Sequence, residues 1–276
     1  MKKKLTVFDL FELKGKRQLS EIYVNNPEEA AAAEKAGVDI IATACDCILP
    51  HLGINATIQD AKDIREACPN THLMMGTLPG TYTSPYEAVK MGYKLISFGA
   101  DSVYTANSTD FIKPMVREKI PVFSHIGLIP HTNTWTGGFR AVGRNAEQAT
   151  KIFKDALEID DAGAVGIEIE VVPPKVAAEI TKRVKMITIS MGSGSFCDAQ
   201  YLFAQDILGT HYGHYPRHAK KYIDLRFEFE KIQKKRISSF KEYVDDVKNH
   251  RFNKPELTVS IEDKEYEYFL NNIKEL

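Results

Sequence analysis

No apolar run in this sequence approaches the roughly 18–20 residues that a membrane-spanning helix needs. The start, MKKKLTVFDLF, lacks the hydrophobic region and small-residue cleavage site of a secretory leader. An excess of one charge is also missing: 36 Lys and Arg against 37 Asp and Glu leave a net charge of −1. That balance argues against an electrostatic grip on nucleic acid or on an anionic membrane. Cysteine is sparse. The four thiols, Cys45, Cys47, Cys68 and Cys197, do not suggest a disulfide framework, and a reduced, cytoplasmic protein is expected.

What is present suits one large core. The 276 residues are 43% hydrophobic and 26% charged, a normal length and balance for a single α/β barrel. A local pattern recurs in residues 28–45, 87–106 and 154–172: an amphipathic segment, a small-residue turn, then a β-branched run. Gly37, Gly99 and Gly163 each suit a helix C-terminus in left-handed geometry. Eight buried-strand runs can be counted: LSEIYV (19–24), VDIIATAC (38–45), HLMMGTL (72–78), DSVYTA (101–106), PVFSHIGL (121–128), AVGIEIEVV (164–172), MITISMG (186–192) and AQYLFAQDIL (199–208). Alternation with helical segments predicts α/β, and eight units in this length favour a closed (β/α)8 TIM barrel over an open sheet. After Gly213 the sequence becomes charged and helical, with Phe240, Tyr243 and Val247 at helical spacing. The expected division is therefore a barrel over 1–215. A helical extension over 216–276 would pack on the barrel or on an oligomer partner.

Such barrels carry their active sites at the C-terminal ends of the strands. Glu168 and Glu170 share one face of a strand, where an ionised carboxylate is costly unless paired. Glu170 is nearer the strand end and can reach the mouth; Glu168 reads as a structural, paired carboxylate. His125 lies near the end of its own strand, as a functional residue or a satisfied core histidine. The stretch IATACDCILPH (41–51) offers Cys45, Cys47 and His51, with His131, as a softer site for Zn²⁺ or Fe²⁺. C-x-C is a weak motif, and Cys45 and Cys47 share one face of the strand while Asp46 points to the other.

These residues resemble a known family. SHIGLIPHTNTWTGGFRAVGR (124–144) is similar to the G-H-[IL]-G-L-T-P-Q…GG[YF]-x-V-x-G-[KR] signature of the ketopantoate hydroxymethyltransferases. Residues 167–209 resemble that family's LECVP…IGIGAG…DGQ segment, and PRHAKKYIDL (216–225) its P-[KR]-F segment; the likeness spans most of 1–225. The resemblance implies a barrel of the phosphoenolpyruvate mutase/isocitrate lyase superfamily and a homo-oligomer, commonly a decamer. It implies hydroxymethyl transfer from 5,10-methylenetetrahydrofolate to 3-methyl-2-oxobutanoate, a 2-oxo acid, in pantothenate biosynthesis. In that chemistry a Mg²⁺ ion chelates the oxo acid and a glutamate takes the C3 proton. Glu170, in E-V-V-P, matches the glutamate, and His125 matches the active-site histidine.

Other positions depart from the pattern. At the strand-two end Cys45 falls on the family's metal aspartate; a one-residue shift restores Asp46 as the metal ligand and puts Cys47 on the substrate-side serine. Thr77 replaces a second metal aspartate, and Tyr104 and Ala106 replace a substrate lysine and a metal-linked glutamate. One aspartate and a hydroxyl make a poor set for Mg²⁺. The expected site is then Glu170 and His125 as catalytic residues, and Cys47, Thr77, Tyr104 and Ser193 as substrate contacts. Asp46, or else Cys45, is the metal candidate. Alternative readings are a C–C bond lyase or transferase with a changed substrate or metal, and a non-catalytic homologue.

Overall fold

The computed structural model describes residues 4–49, 54–77 and 80–275. The strands are β1 (Leu19–Tyr23), β2 (Ile40–Ala44), β3 (Cys47–Leu49), β4 (Ile54–Ala56), β5 (His72–Gly76), β6 (Ser102–Tyr104), β7 (Val122–Gly127), β8 (Gly166–Glu170), β9 (Ile187–Met191) and β10 (Ala199–Phe203). Eight of them close into a parallel barrel in the order β1-β10-β9-β8-β7-β6-β5-β2, while β3 and β4 pair separately as antiparallel strands. The (β/α)8 reading therefore holds, and the eight expected runs supply the eight barrel strands.

Helices form where capping chemistry allows. Helix α1 (Val7–Leu13) opens with a Thr6/Asp9 capping box. Helix α2 (Pro27–Ala36) starts with Asn26 accepting from Glu29 N–H and Pro27 in the first turn, and ends at Gly37 with φ 87°. Around the barrel follow α3 (Ile58–Ala67), α4 (Pro85–Ser97), α5 (Thr109–Arg117), the short α6 (Asn133–Thr136), α7 (Ala146–Asp161), α8 (Pro174–Arg183) and α9 (Ala204–Leu208). Here one expected boundary is corrected. The run 199–208 is strand only as far as Phe203; Ala204 and Leu208, four apart, lie on one helical face against the core.

Period-two alternation splits each strand between two cores. Ile41, Leu73, Val103, Val122 and Ile167 face outward and pack with Ala30, Ile64, Leu95, Met115 and Ile180 of the helices. Leu19, Ile40, Met74, Phe123, Ile187 and Ile189 fill the barrel interior. Each fully buried Leu, Ile or Phe contributes roughly 1.5–3 kcal/mol. The N-terminal side of the barrel is sealed by α1, whose Leu10 is fully buried in the interior cluster. His72 is locked there too, with Nδ1 3.0 Å from the Leu5 carbonyl and Nε2 2.9 Å from Ser102 Oγ. The open end is thus the C-terminal one, where β1, β7 and β8 deliver their last inward residues.

The chain divides into two compact units, Met1–Ile223 and Asp224–Leu276. The second contains α10 (Arg226–Lys248) and α11 (Asp263–Asn272). Phe240, Tyr243 and Val247 lie on exposed surface of α10. Among the described residues no helix is long and apolar enough to cross a membrane.

Candidate active site

The cluster at the mouth is built on one strand pair. Parallel pairing of β7 with β8 sets His125 beside Glu168 and Gly127 beside Glu170. All four positions point inward, because Phe123 and Gly166 on the same faces do. Gly127 is required by this register. Its φ is 93°, and a Cβ there would run into the Glu170 carbonyl oxygen and the Val172 side chain.

The backbone on the far side of Glu170 is pinned as firmly. Val171 sits at φ 50°, an outlier for a β-branched residue. Its N–H donates to the Met191 carbonyl at 2.9 Å, and its carbonyl accepts from Val142 N–H at 3.2 Å. Ser193 Oγ donates to the Ile169 carbonyl (2.7 Å) and accepts from Val172 N–H (2.9 Å). Ser193 is fully buried and its hydroxyl is occupied by these bonds, so it braces the turn after Glu170 instead of lining a cavity.

His125 joins the two glutamates. Its Nδ1 lies 3.1 Å from Glu168 Oε2 and 2.9 Å from the Tyr104 hydroxyl. Its Nε2 lies 2.9 Å from the Leu128 carbonyl and 3.3 Å from Glu170 Oε2. Burial alone would lower the pKa of this imidazole; the contacts with Glu168 and Glu170 and their charges outweigh it and raise the pKa to about 10. With both nitrogens protonated, Nε2–H donates to Leu128 and Nδ1–H is shared between Glu168 and the Tyr104 oxygen. Glu170 Oε2, although close to the ring, accepts no hydrogen bond. Glu168, read from the sequence as structural, is a buried carboxylate whose partner is His125.

Glu21 was not anticipated. It sits on β1 between Leu19 and Tyr23, inward-facing, 2% exposed, with neither carboxylate oxygen hydrogen-bonded. Burial first, then the charge of Glu168, push its pKa well above the ordinary carboxylate value. Tyr201 and Tyr104 lie in the same field, and burial with the neighbouring carboxylates keeps both phenols neutral. A charged residue flanked by apolar residues at i±2 was the signal in LSEIY.

A cavity of about 130 Å³ lies at the barrel mouth, with Tyr201 on its wall. Cys47, Thr77, Tyr104, His125, Glu168 and Glu170 all lie on its wall, with His131. Tyr82 also lines it and donates to Thr105 Oγ1 at 2.6 Å. Burial, and the charge on His125, lower the pKa of His131 and keep it neutral.

The strand-two end is corrected. Asp46 is exposed, at φ 52°, and the chain turns there instead of continuing β2. Cys45 consequently joins the outer, helix-side core while Cys47 enters the barrel-side core. Neither Asp46 nor Cys45 lines the cavity. The proposed thiol site loses Cys45 by the same turn, and His51 falls outside the described residues. Cys47 is no ready nucleophile, since burial and the charge of Asp46 push its thiol up to about 11.

Fold and site together define a (β/α)8-barrel enzyme with a buried acid–base cluster at the strand C-termini. A similar fold occurs in a solved 2,3-dimethylmalate lyase of the PEP mutase/isocitrate lyase superfamily (TM-score 0.51, 11% identity, 92% of each chain covered). Residues 4–255 match the family described as ketopantoate hydroxymethyltransferase. The chain is 32% identical to 3-methyl-2-oxobutanoate hydroxymethyltransferase 1 of Methylibium petroleiphilum, over 99% of this chain and 95% of that one. It is 35% identical to the corresponding protein of Staphylothermus marinus, over 91% and 94%. The chain belongs to the ketopantoate hydroxymethyltransferase family and is an enzyme of the transferase class.

The Mg²⁺ that the family implies does not fit the side chains present. Asp46 and Cys45 are turned away, Thr77 offers one neutral oxygen, and Ala106 offers none. The remaining carboxylates, Glu168 and Glu170, are bridged by a cation already in place. Among the described residues no three His, Cys, Asp or Glu side chains are grouped to hold a metal ion, whereas Mg²⁺ demands near-octahedral oxygen donors.

Proposed function

We propose that this enzyme transfers a one-carbon unit to a 2-oxo acid, 3-methyl-2-oxobutanoate or a close relative, through its enolate. The donor is 5,10-methylenetetrahydrofolate. Glu170 acts as general base: its carboxylate takes the C3 proton, the C–H electron pair becomes the C2–C3 π bond, and the carbonyl pair moves onto oxygen. Water adds to the methylene carbon of the donor and both of its C–N bonds break, each nitrogen taking a proton, which frees the carbon at the formaldehyde level. The enolate carbon bonds to that carbon as its C=O π pair moves onto oxygen, and the proton held by Glu170 completes the hydroxyl. The observation that carries this reading is Glu170 itself. It stands on the cavity wall in the family's E-x-V-P position, its side chain 11% exposed and its Oε2 turned to His125. We place the enzyme in the cytoplasm as a homo-oligomer, following the family resemblance.

The test is deuterium exchange at C3 of 3-methyl-2-oxobutanoate in D₂O, followed by proton NMR. The wild type is expected to exchange and Glu170→Gln to lose roughly 10²-fold or more, the scale of a removed general base. Equal exchange in the two proteins would refute the assignment. A second reading, a C–C bond lyase with a changed substrate, draws on one feature. Among the described residues, no lysine or arginine lines the cavity to hold the oxo acid's carboxylate. Cleavage of 2-alkylmalate-type acids without folate would favour it.

A further inference from the structure

An enolate must be stabilised at its oxygen. In a metal-dependent barrel the ion does this; here the donor set for Mg²⁺ is missing. Among the described cavity-lining residues, the cation is His125, since His131 is held neutral. The imidazole does not face the cavity alone. Its Nδ1 is 2.9 Å from the Tyr104 hydroxyl, and the rings meet edge to face with centroids 6.1 Å apart. Tyr104 stands on the cavity wall and is backed by Gly76, where a Cβ would lie 3.0 Å from the phenol ring.

The direction of these hydrogen bonds matters. A doubly protonated imidazole has no acceptor, so Nδ1–H, shared with Glu168 Oε2 at 3.1 Å, is the donor to the Tyr104 oxygen. The phenol proton is then released from His125 and is free to point into the cavity. Donation from a cation polarises the O–H bond, and the low local dielectric strengthens whatever it binds. The other ring nitrogen lies 3.3 Å from Glu170 Oε2, the base. One imidazole thus links the carboxylate of the base to the hydroxyl that meets the developing enolate.

Resting on the transferase reading, we propose that this chain enolises its substrate without a divalent metal, with Tyr104 as the oxyanion donor and His125 as the charge that positions it. Glu170 gains the C3 proton, the enolate oxygen gains a hydrogen bond from Tyr104, and the phenol keeps its proton. Burial and the charges of Glu168 and Glu170 hold it in that neutral form. Tyr104 occupies the position where the family resemblance places a substrate lysine, so the substitution changes the device and not only a contact.

Two measurements on the full chain test this together. Mn²⁺ titration, followed by the free-ion EPR signal with and without 3-methyl-2-oxobutanoate, should show no tight binding. C3 exchange should run at the same rate in excess EDTA and in Mg²⁺. Tyr104→Phe should lower the exchange rate constant by about 10²–10³-fold, as for loss of one oxyanion donor, with little change in KM. Exchange that needs Mg²⁺ overturns the inference and leaves the transferase reading standing. Exchange in neither condition sinks the transferase reading. The EPR titration then decides the metal question alone: tightly bound Mn²⁺ overturns the inference, and an unperturbed signal upholds its metal-free part. A Tyr104→Phe variant with wild-type exchange removes the tyrosine from its role.

Discussion

Glu21→Gln should make folding less sensitive to pH. The wild-type carboxyl is dry, unbonded and beside Glu168, so the folded chain keeps its proton above the ordinary value of 4.5. The unfolded chain releases that proton near 4.5. A raised folded pKa stabilises fully below the unfolded value, and that stability is lost as pH rises toward the folded value. The slope is ~1.4 kcal/mol per pH unit for one proton. As pH rises from 5 the wild type should therefore lose stability relative to Glu21→Gln, which has no proton to hold, along a slope that approaches that value until the folded carboxyl ionises. His125 adds a slope of the same sign above its unfolded value of 6.5, because its folded pKa is raised to about 10. It does so in both proteins and cancels in the difference. Urea unfolding at pH 5, 6 and 7 measures the two slopes. Infrared spectra give a second readout, a carboxylic C=O band that persists above the ordinary carboxyl range and that the variant lacks. Equal slopes would refute the reasoning, because they would mean that Glu21 is ionised inside the barrel.

Two further substitutions probe the frame around the base. Gly127→Ala places a methyl group against the Glu170 carbonyl at a left-handed φ; it should cost upwards of about 2 kcal/mol in thermal unfolding. It should also abolish C3 exchange, and a stable, active variant would show that the register is not fixed at this glycine. Asp46→Asn should change stability by no more than ~0.5 kcal/mol and leave exchange intact, since Asp46 is exposed, off the cavity wall and in a conformation asparagine tolerates. Loss of exchange in that variant would return Asp46 to the site.

The contrast between Asp46 and Glu21 shows where reading residues in order stops working. The barrel was legible because strands covered on both sides must be apolar almost throughout, and eight such runs stand out. Phe203 and Ala204 mark the limit of that signal, since an apolar run does not distinguish a buried strand end from a helix start. Glu170 and His125 were legible as charged residues in apolar strands, and the family motif reinforced them. Glu21 satisfies the same criterion in LSEIY, but no family motif surrounds it. The alternation rule that would have caught Glu21 is the rule that misplaced Cys45, Asp46 and Cys47. It assumes that a strand continues, and at Asp46 the backbone turns through φ 52° and exchanges the two faces. Side-chain alternation therefore locates buried chemistry only as far as the backbone stays extended. The residues past the last extended position, where barrel enzymes keep their loops, have to be placed by the fold itself. Tyr104 shows the consequence: its position was legible at a strand end, but its pairing with His125 depends on β6 and β7 lying side by side.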